Sequence, residues 1–313
     1  MKKYLQKESK AHDSSNSFTE ELTLNESEAE DLAKRLKSEI KKGINPTPDK
    51  ELIDLIIAGL ADKRGPFRRI FSKTLVNFGK PAIRPLINAL HNHSNVTVRR
   101  SAAKTLRLIK NPLTLPDLLI ALTNDSDPVV QGSSAAAMAV FGEEAIELLI
   151  KVIVDPKSNP MQAGLAAWGI SFIGEKAPHS IRKAALSENN QIRAAAIAAL
   201  GDQIFSLKDE EARNILTNAL NDYSAEVRAE ATILIGNLNE EEWAQSLLIN
   251  KLEDSSEEVK KNAALALMKL KSNRSITSLK NQLTKEKSPK VLKVLNLAIM
   301  KLNESNKELD QSF

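Results

Sequence analysis

The 313 residues include no cysteine, so disulfides, thiolate zinc or iron–sulfur ligation and a catalytic thiol are all excluded from this chain's own chemistry. That absence, with no apolar run long enough for a signal peptide or a bilayer span, reads as a cytoplasmic chain without a membrane segment. Aromatic residues make up only 4%, too few to line a base-stacking surface, so nucleic acid is not the expected partner. Enzyme signatures are missing as well: there is no glycine-rich phosphate loop, nucleophile elbow, HExxH or DxDxDG loop. The paired carboxylates Glu240–Glu241 and Glu257–Glu258 stand at helix starts, where acids favour the helix dipole. His91 and His93 lack a third neighbour with ligand chemistry, so no metal is expected.

What the chain does contain is 42% hydrophobic residues, enough for a core without staples, arranged in an internal repeat. Leu60, Leu90, Leu122, Val154, Leu186, Leu220, Leu252 and Leu283 recur at a spacing of about 32 residues and read as the ends of successive first helices. Each unit is an apolar helix such as AIRPLINAL, a polar turn such as TNDSD, and an Ala-rich helix such as EVRAEATILIG. Asn, Asp and Ser in the turns cap the second helices, and Gly79, Gly142, Gly174 and Gly236 read as their C-terminal left-handed residues. The second helices align on an apolar residue followed by a long polar one: Phe67-Arg68, Val98-Arg99, Val130-Gln131, Met161-Gln162, Ile192-Arg193, Val227-Arg228 and Val259-Lys260. With Asp125, Asp155, Asp222 and Asp254 in the turns, these polar residues predict a ladder of structural contacts between repeats. The repeat occupies residues 26–302, between a disordered polar leader over 1–25 and a disordered tail over 303–313.

Two features depart from the repeat. Between Ala61 and Lys110 stand twelve Lys and Arg against Asp62 alone, whereas Asp202 to Glu258 carries fourteen acids against four bases, so the chain is an electrostatic dipole along its length. Arg68, Arg69, Lys73, Arg99, Arg100, Lys104 and Arg107 are the candidate partner- or ligand-binding residues of the basic part, and they suit an acidic protein or an anionic ligand. Trp168 is the other departure. Seven residues after the apolar column the other repeats carry Thr74, Thr105, Ala137, Ala199, Leu234 and Ala266, and next to this Trp stands Gly169. Either the ring repacks into the space Gly169 leaves, or it faces a ligand or partner.

The segments VTVRRSAAKTLRLI, QAGLAAWGISFIGEKA and QIRAAAIAALGD, within a likeness running from about Asp49 to Leu302, resemble the phycobilisome-lyase HEAT-like repeat family. The resemblance implies an all-α fold, a HEAT-like repeat α-solenoid of antiparallel helix pairs. It also implies that a bilin, an open-chain tetrapyrrole, and a phycobiliprotein are handled on the inner face, the acceptor thiol belonging to the substrate protein. The bilin propionates would suit the basic patch, and Trp168 matches an aromatic after Ala-Ala in lyase members. Relatives without lyase activity are adaptors, one of them for an iron–sulfur carrier protein. The residues themselves favour a non-catalytic adaptor or chaperone that recruits an acidic protein through the basic patch and Trp168. The alternatives are a bilin lyase component and a scaffold bridging two proteins through oppositely charged halves.

Overall fold

The computed structural model describes residues 21–44 and 46–310. The helices are α1 (Glu26–Lys41), α2 (Lys50–Gly59), α3 (Gly65–Phe78), α4 (Lys80–Asn92), α5 (Val96–Ile109), α6 (Leu115–Asn124), α7 (Pro128–Met138), α8 (Glu143–Val154) and α9 (Pro160–Ser171). They continue with α10 (Pro178–Ala184), α11 (Asn190–Ala198), α12 (Gly201–Ser206), α13 (Glu210–Ala219), α14 (Ala225–Asn237), α15 (Glu241–Lys251), α16 (Glu257–Lys269), α17 (Ile276–Lys285) and α18 (Pro289–Asp310). The described residues contain no strand. The pairs α2/α3, α4/α5, α6/α7, α8/α9, α10/α11, α13/α14, α15/α16 and α17/α18 stack into an all-α solenoid, with α1 packed on α3 at one end and α12 inserted after α11.

Second helices pack directly on one another along the series, from α3 on α5 to α16 on α18, while neighbouring first helices touch much less. A two-layer stack that is tighter in one layer curves toward it, so the second helices line the inner face. Their close approach rests on a buried column of small residues. Thr105, Ala137, Ala199 and Ala266 are all 6% exposed or less. Asn95, Asp127 and Asn189 cap their helices by accepting backbone N–H groups, and Asn159 forms a full capping box with Gln162.

Several expectations are corrected. Val154 and Leu186 are 48% and 74% exposed; Ile153 and Ala185, one residue earlier, fill the core position. The following turn, from Ile153 to the cap Asn159, is one residue longer than the turn from Leu122 to the cap Asp127. That added residue rotates α9 by one position: Gln162 takes the apolar column, 9% exposed, and Met161 faces out at 54%. Gly79, Gly142 and Gly174 have φ of 65°, 58° and 49°, but Gly236 lies inside α14 and the left-handed residue there is Asn239. Gly236 serves packing instead, since a Cβ there would stand 2.5 Å from the Cβ of Ala266 on α16. Gly236→Ala must push α14 from α16, and a loss of about 1–3 kcal/mol in urea unfolding is expected. Of the polar leader, residues 1–20 lie outside the described residues, and Glu21 already holds the N–H of Ser94 at 2.6 Å. The tail expected to be disordered from 303 continues α18 to Asp310, because Glu, Lys and Leu sustain a helix with no Gly or Pro to end it; 311–313 lie outside the described residues.

The inter-repeat ladder is built from the polar residue after the apolar column. Arg99 is bidentate on Asp125 at 2.8 and 3.0 Å, Arg193 on Asp222 at 2.8 Å twice, and Arg228 on Asp254 at 2.8 Å twice. Each also donates to the carbonyl six residues back, as Gln131 does to Asp125 at 2.7 Å. Asp155 has no such rung: it accepts from the Lys157 N–H within its own turn. The last rung is Lys260 with Glu286 at 2.5 Å, and that ammonium, together with the Lys287 and Ser288 N–H groups, holds the Glu286 carboxyl down to about 2. Because the folded state binds this proton more weakly than the unfolded chain, the rung's contribution is full above the ordinary carboxylate value of 4.5 and is lost as pH falls toward 2. Glu286→Gln should flatten the urea midpoint against pH over that window.

Candidate functional site

Counting from the apolar column, positions two and six residues on point away from the first helix, onto the inner face. On α3 and α5 these are Arg69, Lys73, Arg100 and Lys104, all exposed. With Arg68 they line a cleft of about 600 Å³ between the two helices that has no acidic side chain in its wall. Ser72 and Thr105 join hydroxyl to hydroxyl across the helix interface beside it. Burial, and then the guanidiniums of Arg100, Arg68 and Arg107, press the Lys104 ammonium below the usual lysine range. Cations crowded this way without a counter-charge favour an incoming anion.

Among the other bases of the segment, Arg64, Arg68 and Arg99 are engaged by the fold. Arg64 donates to Asp62 at 2.8 Å and Glu30 at 3.0 Å and lies over the Phe67 ring, which ties α1 to α3. Arg68 is anchored by a hydrogen bond to the Asp62 carbonyl while lining the cleft. Arg107 is exposed near Lys104. Arg99 is removed from the candidate binding residues: its side chain is 11% exposed and fully committed to the ladder, facing the next repeat. His91 contacts Asp117 at 3.1 Å, and His93 accepts from the Asn95 N–H at 3.0 Å; among the described residues no cluster of three metal-ligating side chains exists.

Trp168 is 46% exposed and meets Phe172 edge-on, ring centroids 4.6 Å apart. It does not fill a hole beside Gly169. With α9 rotated by one residue, Gly169 belongs to the buried small column, where a Cβ would sit 3.3 Å from the Ala135 carbonyl, and Trp168 belongs to the exposed column of Lys73 and Lys104. Between the cationic cleft and the indole, the inner-face positions of α7 and α9 are Gly132, Ala136 and Gly164. Nothing lies within 4 Å of a Cβ built on Gly164, so packing does not demand that glycine. The inner face thus carries cations at one end, small residues across α7 and α9 with Leu165 packed against Gly132, and an exposed indole beyond them. The small residues and Phe172 were missed in the sequence because the register that aligns them is set by the longer turn.

The HEAT-repeat family matches residues 53–139, 179–250 and 213–299. Over 89 residues the chain is 46% identical to the bilin biosynthesis protein MpeU of Synechococcus sp. (strain WH8020), covering 28% of this chain and 30% of that protein. Over 64 residues it is 42% identical to the uncharacterized phycocyanin operon protein Z of Pseudanabaena tenuis (strain PCC 7409), covering 20% of this chain and 32% of that protein. The matches thus span about a third of the length of these curated relatives. Among solved structures, a Kap95:Nup1 complex is similar at TM-score 0.50 and 11% identity over 88% of this chain and 44% of that one, a likeness of fold alone. The complex of CpcE and CpcF of phycocyanin lyase from Nostoc sp. PCC7120 matches at TM-score 0.32 and 21% identity over 59% of this chain and 99% of that one. No helix among the described residues is long and apolar enough to cross a membrane. The chain belongs to the HEAT-repeat family.

Proposed function

We propose that the chain handles a bilin on its inner face for delivery to a phycobiliprotein, as a lyase component or a chaperone of that reaction. The carrying observation is the order along the inner face: a cationic cleft walled by Arg69, Lys73, Arg100 and Lys104, then the small residues Gly132, Ala136 and Gly164 on the next two second helices, then the exposed Trp168 ring. A linear tetrapyrrole is an elongated π-system bearing two carboxylates. Its propionates pair with the guanidinium and ammonium groups, its rings lie over the small residues, and the indole limits their travel. The attachment thiol comes from the phycobiliprotein, since these 313 residues hold none. The bilin biosynthesis relative supports this reading over the non-catalytic adaptor that the residues alone favoured, and nothing on this face calls for an iron–sulfur carrier.

The test is co-expression of the chain with bilin-synthesising enzymes and apo-phycobiliprotein subunits, followed by zinc-induced fluorescence on denaturing gels. A covalent fluorescent subunit that disappears when the chain is omitted is the expected result. Equal fluorescence with and without the chain, for every apo-subunit, would overturn the reading.

A further inference from the structure

At the opposite end of the inner face the same column changes character. Where α3 and α5 carry Lys73 and Lys104, the helices α14, α16 and α18 carry Ile233, Leu265 and Leu297, each 32 residues from the next and 40%, 37% and 39% exposed. Branched aliphatic side chains repeated three times in an outward column exceed what the stack requires, since Ala136 and Ala198 occupy the same position elsewhere. Three residues further along, α16 and α18 add Met268 and the 48% exposed Met300. A shallow pocket of about 470 Å³ opens there, between Met268 and Leu297. Thioethers of this kind adapt to the shape of a partner.

Cations border this apolar strip. Lys261 and Lys293 stand one turn before Leu265 and Leu297, and Lys269 stands one turn after Leu265. Lys261 touches only Glu258 of its own helix, at 2.6 Å, and Lys269 donates to the Asn237 amide at 2.6 Å, both exchangeable surface contacts. From Val259 onward the sequence carries twelve Lys and Arg against four acids, and the carboxylates beside the strip are Glu304 in the pocket wall and Glu230, three residues before Ile233.

We infer that the inner face of α14, α16 and α18 docks an acidic amphipathic helix of a partner protein. Spacing supports that occupant as well as charge. Packed helices lie about 8–10 Å apart, and two turns of an α-helix rise about 11 Å, so a helix laid along the solenoid axis meets Ile233, Leu265 and Leu297 with residues i, i+7 and i+14 of one face. Acidic residues flanking that face meet the lysines. The surface stands apart from the proposed tetrapyrrole site and does not depend on it.

The probe is a fluorescein-labelled peptide of about six helical turns, leucine at the i, i+3, i+7, i+10 and i+14 positions with glutamate on both flanks, read by fluorescence anisotropy against a permuted twin of equal composition. The expected result is binding of the amphipathic peptide and not of the twin. Leu265→Asp with Leu297→Asp should weaken it at least about tenfold, Leu265→Ala with Leu297→Ala by a smaller factor, and Arg69→Glu with Arg100→Glu by less than about twofold. All these positions are exposed, and far-ultraviolet circular dichroism verifies the fold. The inference is overturned if the peptide does not bind, if the twin binds equally, or if the aspartate variant binds like wild type. It also falls if sedimentation shows a wild-type dimer that the aspartate variant dissolves, since the occupant is then a second copy of this chain.

Discussion

Arg69→Glu combined with Arg100→Glu is expected to abolish bilin delivery, with a loss of at least about 100-fold in affinity and an unchanged melting temperature. Charge-assisted hydrogen bonds to a carboxylate contribute about 1.5–3 kcal/mol each, and reversal adds repulsion where attraction stood. Both side chains are exposed and belong to no ladder rung, so the stack does not depend on them. Lys104, whose ammonium is disfavoured by burial and by its guanidinium neighbours, gains a nearby counter-charge in this variant and returns toward the ordinary lysine range. Absorbance titration with the free bilin measures the affinity, and wild-type affinity should also fall as salt rises through the range where exposed charges are screened. Retained affinity in the reversed variant would remove the cleft from the site while leaving the small residues and Trp168 to be tested by Trp168→Ala.

Arg99→Ala, one residue from Arg100, is expected to act on stability and not on ligand. It removes both guanidinium hydrogen bonds from Asp125, whose side chain is 6% exposed and keeps the Asp127 N–H, and frees the carbonyls of His93 and Ser94. Removing one partner of a buried pair costs about 3–5 kcal/mol, a large share of the roughly 5–15 kcal/mol that holds a domain together. In a stack where each repeat contacts only its neighbours the damage stays local. Hydrogen exchange should therefore accelerate first around the α4–α5 and α6–α7 turns, with the urea midpoint falling in parallel. Replacing the pair together, Arg99→Met with Asp125→Leu, should recover most of the loss, because no uncompensated charge remains.

These two neighbours show where sequence reasoning stopped. Both are arginines in one basic run, and 100° of helical rotation sends Arg100 into the inner cleft and Arg99 into the ladder. The period, the helix pairs, the capped turns and the charge separation are local properties, written into spacing and residue type, and they were legible. The rung partners of Arg99, Arg193 and Arg228 were legible for the same reason, since an Asp stands in the turn of the following repeat, 26, 29 and 26 residues on.

Sequence alone determined that this chain is a stack of paired helices with no thiol chemistry of its own, because the hydrophobic period and the composition each fix their conclusion without reference to distant contacts. Only the tertiary structure decided which residues share the inner face. One extra residue in the turn before α9 rotates every side chain behind it, so Gly169 goes into the stack, Trp168 comes out, and Gly236 is explained by Ala266 on the next repeat. Such assignments depend on how successive helices are rotated against one another, which is settled by packing across repeats and not within them.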